Sequence, residues 1–215
     1  MGEMTNKDTR TKAAVSRWGW LSKIGAGAAL VSGILLLLGM ISLIVTVLQP
    51  GTPNAWLLPF QNNWLVKIFI QHAELSGIPA DLHGLNLLDM VILLLVSLVC
   101  LSLSTYFRNA GKVWSLIAFG LSVAAMLLFW ATQLAGRSTV MLAVLINSFV
   151  MLRDKTFSRV IIYSGILAGV FLFAGDLTVG IHSNIITILF GVGYALLIIW
   201  SMLIAQALFR PGQVS

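Results

Sequence analysis

Residues 137–159 read RSTVMLAVLINSFVMLRDKTFSR. Fifteen uncharged residues lie between Arg137 and Arg153, and whether they cross a membrane decides the fold of the whole chain. At 1.5 Å per residue they make about 22 Å of helix, short of the roughly 30 Å hydrocarbon layer. A crossing therefore requires the two arginines to snorkel to the surfaces, or neighbouring helices to shield the segment.

The charges on either side favour a crossing. Five other stretches, 24–48, 86–107, 113–134, 160–181 and 184–209, are apolar over lengths that can span a bilayer. With 138–152 as a sixth span and the N-terminus in the cytoplasm, one face receives Lys7, Arg10, Lys12, Arg17, Lys23, Arg108, Lys112, Arg153, Lys155, Arg159 and Arg210. That is eleven of the thirteen Lys and Arg, leaving only Lys67 and Arg137 opposite. The positive-inside rule then places both termini in the cytoplasm, whereas omitting the fourth crossing would put RDKTFSR on the wrong side. The expectation is an all-α integral membrane six-helix bundle. It has a polar cytoplasmic tail over 1–23, a short one over 210–215, and the bilayer as its main partner.

Composition agrees. The chain is 59% hydrophobic and 9% charged, against about 25% charged in soluble domains. The net charge of +6 belongs to residues flanking apolar segments, so it encodes topology and does not point to nucleic acid. The first apolar run, 24–48, exceeds the roughly 7–15 residues of a signal-peptide core and is expected to remain as an anchor. Cys100, the only cysteine, rules out an intrachain disulfide and reads as a small buried hydrophobe.

One long connection, 49–85, falls on the outer side. It opens with the proline-broken QPGTPNAWLLPF and continues as NNWLVKIFIQHAELSG, where residues 64–75 can form a short amphipathic helix that caps the bundle or lies on the membrane. Small residues four apart, Gly25, Ala29 and Gly33, Gly165 and Gly169, and Gly191 and Ala195, predict close helix approach.

Ionisable groups inside spans are costly and become site candidates by default. Asp89, Gln133, Arg137 and Asp176 all fall toward the outer ends of their segments, and Asn147 is the one amide deep in an apolar run. Arg137 paired with Asp176 or Asp89 would leave no charge alone in lipid, and Asp89 also suits a helix N-terminus. The same residues could instead form a small-solute or proton site, making the chain a carrier. His72, His83 and His182 share that side and could ligate zinc in a membrane hydrolase, but they lack the spacing of known motifs such as HExxH. No resident cofactor is expected. No phosphate loop or nucleophile elbow is recognisable, so a non-enzymatic structural or accessory membrane protein, with other membrane proteins as partners, leads the readings.

The runs LNLLDMVILLLVSL, RNAGKVWSLIA, AGRS, VMLRDKTFSR, GDLTVGIHS and ILFGVGYALLIIW, spread over 85–209, make the chain similar to small multi-span bacterial membrane proteins grouped as a domain of unknown function. The resemblance implies six helices and a bacterial cytoplasmic membrane, and carries no catalytic residue with it.

Overall fold

The computed structural model describes residues 4–48, 87–107, 112–131, 133–153, 157–178, 181 and 183–209. Six helices make up the described chain: α1 Met4–Leu48, α2 Leu87–Tyr106, α3 Lys112–Ala131, α4 Gln133–Arg153, α5 Arg159–Leu177 and α6 Asn184–Phe209. No strand occurs among the described residues. Residues 64–75, for which an amphipathic helix is expected, lie outside them.

Where helices can form follows the prolines, which lack an N–H donor and clash with the preceding turn. Pro50, Pro53, Pro59, Pro79 and Pro211 all fall outside the six helices, and α1 ends two residues before Pro50. With no such breaker upstream, α1 runs unbroken through the polar tail and the first span, 45 residues or about 67 Å of helix. Five segments are long and apolar enough to cross a membrane: Trp20–Val45, Leu88–Tyr106, Ala135–Arg153, Arg159–Leu177 and Asn184–Phe209. Val113–Leu128 in α3 is a shorter apolar stretch. The chain is a multi-pass helical membrane protein.

Several helix ends differ from the sequence reading. α3 stops at Ala131, three residues before the expected 134, so Gln133 opens α4 and does not close α3, and the third apolar stretch is shorter than expected while the fourth is longer. α4 starts at Gln133, a turn before the boundary at 138, because a charged residue does not end a helix when a neighbouring helix meets its charge; Arg137 is buried inside the helix. The fourth segment thereby gains length, and shielding by neighbours replaces snorkelling at that end. α5 stops at Leu177, four residues before the expected 181. Thr178 caps it, its backbone N–H donating to the Ala174 and Gly175 carbonyls at 3.1 and 3.2 Å and its hydroxyl to Ala174 at 2.9 Å.

Helices α1, α2, α4, α5 and α6 close into a ring in which α1 meets α2 and α6, α4 meets α2 and α5, and α5 meets α6. α3 packs on the outside, against α2 and α4. Its buried face is a stripe of small residues, Ser115, Ala118, Ser122 and Ala125, at spacings of three and four. Its other faces carry Leu116 and Leu127, which are 71% and 68% exposed. This arrangement inverts that of a soluble helix: bulky apolar groups face lipid, and small ones let helices approach.

The ring is filled from α6. Trp200, Tyr194 and Phe190 are fully buried, and glycines opposite make room for them. Trp200 and Ser148 of α4 meet over Gly165 of α5. One turn on, a Cβ at Gly169 would lie 2.9 Å from the Leu145 Cβ and 3.2 Å from the Leu145 Cα, so α4 and α5 touch there backbone to backbone. On α6 the close contact uses Gly193, against Phe171 and Leu172, while Gly191 and Ala195 are only half-buried.

At one end of the ring the rings of Tyr106, Phe107 and Phe157 cluster, with centroids 5.3–5.9 Å apart, joining the end of α2 to the link between α4 and α5. The ion-pairing residues lie at the other end.

Gly169→Val forces the α4 and α5 backbones apart and is expected to destabilise the protein by about 1–3 kcal/mol. Gly120→Ala on α3, where nothing lies within 4 Å, is expected to stabilise it by roughly 0.5–1 kcal/mol. Thermal unfolding in detergent measures both.

Candidate functional site

The chemistry-bearing side chains are placed by helix ends. Asp89 is in the first turn of α2, Arg137 in the second turn of α4, and Asp176 is the penultimate residue of α5. Because α4 and α5 run antiparallel side by side, the start of one lies beside the end of the other, and Arg137 and Asp176 become neighbours. All three residues are buried.

Arg137 Nε lies 4.0 Å from Asp176 Oδ1, an ionic contact beyond hydrogen-bond range. Ser138, adjacent to Arg137, donates its hydroxyl to Asp176 Oδ2 at 3.2 Å. Oδ1 accepts no hydrogen bond among the described residues. Arg137 is within electrostatic reach of two carboxylates, Asp176 more strongly and Asp89 less so. At 4 Å and an effective dielectric near 20, unit charges attract by about 4 kcal/mol. That is comparable to the several kcal/mol required to remove each ion from water. The pair is thus a means of neutralising charge, with little net stabilisation to spare.

A second group of polar contacts lies beneath this cluster. The Tyr194 hydroxyl of α6 donates to the Leu36 carbonyl of α1 at 2.7 Å, and it is within electrostatic reach of Asp89. It fits because Gly39, one turn along α1, leaves its Cβ position to the hydroxyl. Farther along, Ser104 of α2 donates to Asn147 Oδ1 of α4 at 3.2 Å and to the Cys100 carbonyl at 2.7 Å, while Asn147 Nδ2 donates to Ala143 at 2.9 Å. Ser115 of α3 donates to the Ser104 carbonyl. These links tie α3 and α4 to α2 within the apolar layer, where each polar group needs a protein partner.

No family model, no curated protein and no solved structure matches this chain. The site is therefore read from its own geometry.

Of the residues singled out in the sequence, Arg137 and Asp176 are in contact and Asp89 belongs to the same electrostatic group. Gln133 opens α4, one turn before Arg137. His72, His83 and His182 lie outside the described residues. Ser138 joins the cluster through its hydrogen bond to Asp176, and Tyr194 lies in the group beneath it; neither is singled out by the sequence. The signal for Tyr194 was present, since a phenol in the interior of an apolar segment needs an acceptor; for Ser138, only its adjacency to Arg137 was informative.

Tyr194→Phe removes one buried hydrogen bond and is expected to destabilise the protein by about 1 kcal/mol. Gly39→Ala drives a methyl group into the Tyr194 hydroxyl, but the next ring atom, Cζ, is 3.6 Å away, an ordinary contact. The double variant is therefore expected to be more stable than the sum of the two losses predicts, and unfolding of all four proteins measures the coupling.

Proposed function

We propose that this chain is a non-enzymatic accessory protein of a bacterial cytoplasmic membrane, with both termini in the cytoplasm, acting through association with other membrane proteins. In this reading the cluster of Arg137 and Asp176 is a clasp that holds α4 to α5 at the outer end of the ring. The observation that carries it is the contact itself. The two opposite charges face each other at 4.0 Å, buried, between helices already in backbone contact at Gly169.

The interior supports the same reading. A carrier needs a hydrated route near the midplane, whereas here Trp200, Tyr194 and Phe190 are buried between the helices of the ring. The orientation draws support from the eleven basic residues on one face.

A clasp predicts coupling. Asp176→Asn is expected to destabilise the protein by on the order of 2 kcal/mol, because Asp89 still acts on Arg137, and Arg137→Gln by roughly 3–5 kcal/mol, because it leaves the buried Asp176 carboxylate without its cation. The double variant is expected to lose less than the sum, and additive losses would remove the clasp. The carrier reading is tested separately in reconstituted vesicles. Accumulation of a solute driven by a proton gradient, and lost in Asp176→Asn, would replace the accessory role with transport.

A further inference from the structure

At the end of the ring opposite the ion pair, residues 107–111 join α2 to α3 and residues 154–158 join α4 to α5. These links and the helix residues flanking them carry Arg108, Lys112, Arg153, Lys155 and Arg159 against one acid, Asp154. Links this short keep the charges close to the helix ends they connect. This end is therefore basic, and it lies where the helices leave the apolar layer.

Two of the cations are held in place. Arg153 is the last residue of α4 and Arg159 the first of α5, and both are exposed. Phe157, buried against Phe107 and Tyr106, anchors the link between them. Ser158 caps α5, its hydroxyl accepting from the Ile161 N–H at 3.5 Å. Apolar surface continues from each arginine. Phe149 lies four residues before Arg153 and Tyr163 four after Arg159, so each shares a helix face with its arginine, and both rings are exposed. α4 is covered by α2, α3 and α5, and α5 by α4 and α6, so these two faces open outward from antiparallel neighbours.

Topology alone requires basic residues somewhere in such a link, with no particular arrangement. Here two guanidinium groups, each able to hold phosphate oxygens bidentately, stand at adjacent helix ends above an apolar strip. We propose that this end of α4 and α5 is a binding site for a phospholipid with an anionic head group, Arg153 and Arg159 holding the head group and the strip of Phe149 and Tyr163 receiving the acyl chains. A zwitterionic head group fits less well, because its own ammonium competes with the arginines for the phosphate. The site is independent of the clasp, which uses the other end of the same two helices.

The test reconstitutes the full chain in vesicles of equal phosphatidylglycerol and phosphatidylcholine and counts, by native mass spectrometry, the lipids retained after extraction into detergent. Phosphatidylglycerol is expected in excess. Arg153→Gln and Arg159→Gln are each expected to reduce that excess roughly fivefold. Lys23→Gln removes an exposed charge at the same end, on α1, which packs against α2 and α6, and is expected to leave it unchanged. Equal retention of the two lipids by the wild type overturns the proposal. A loss in Lys23→Gln as large as in the arginine variants overturns it too, since the attraction would then be spread over the whole basic surface. Inorganic phosphate added to the extract is expected not to displace the lipid, and displacement would make this a site for a free anion instead. The wild-type ratio decides the first point even if a variant fails to fold.

Discussion

A charge removed from water has to be met by the chain that buries it, and the placement of Arg137 shows how far that requirement shapes this protein. Its guanidinium is inside α4, not at its end, and it can be there only because the last turn of α5 brings Asp176 alongside. The antiparallel pairing of α4 and α5, the length of α4 and the capping of α5 at Thr178 are linked through this contact. Had α5 run on helically to residue 181, the Asp176 backbone would sit inside the helix with its carbonyl committed to the next turn. Instead the helix closes with Thr178 folded back on Ala174, and Asp176 stands at the rim of the ring.

The apolar interior obeys a second constraint. Burial of side chains gives little net drive between helices when lipid is as apolar as leucine, so association depends on close contact and internal hydrogen bonds. The ring uses both. Glycines on α1 and α5 accept large groups from α6, and the hydroxyls of Ser104 and Ser115 and the amide of Asn147 bridge α2, α3 and α4. The stripe of Ser115, Ala118, Ser122 and Ala125 lets α3 lie against two helices while its leucines face outward.

The six helices were legible in the sequence because apolar runs bounded by proline, glycine and charge are the strongest pattern a membrane chain carries. That the short fourth segment belongs with the spanning helices was legible from charges outside it, and its helix is long and apolar enough to cross. Helix ends were less so: residue 138 was expected as a boundary because Arg137 is charged, but a charge met by a partner from another helix does not terminate a hydrogen-bond ladder. In the same way Thr178 reads as one more tolerated residue until its hydroxyl is seen on Ala174. Asp89, Arg137 and Asp176 stood out as charges among apolar neighbours. Which of the two acids touches Arg137 depends on how α4 and α5 pack, information that no single segment holds. Trp200 illustrates the same limit, since only its position opposite Gly165 makes it a core residue and not part of an interfacial belt.

The backbone contact at Gly169 and the ion pair share one interface, and this has a mechanical consequence. Gly169 and Leu145 hold α4 and α5 together about two turns from Asp176, so the helices cannot shift at that point without steric overlap. The separation at the Asp176 end is then governed by side-chain reach and by small changes in crossing angle about the glycine contact. A 4.0 Å ionic contact is long enough to yield to such changes in either direction. The glycine acts as the fixed point and the charges as the movable end, so a change in the ion pair acts on the α4–α5 crossing angle while leaving the core around Trp200 in place.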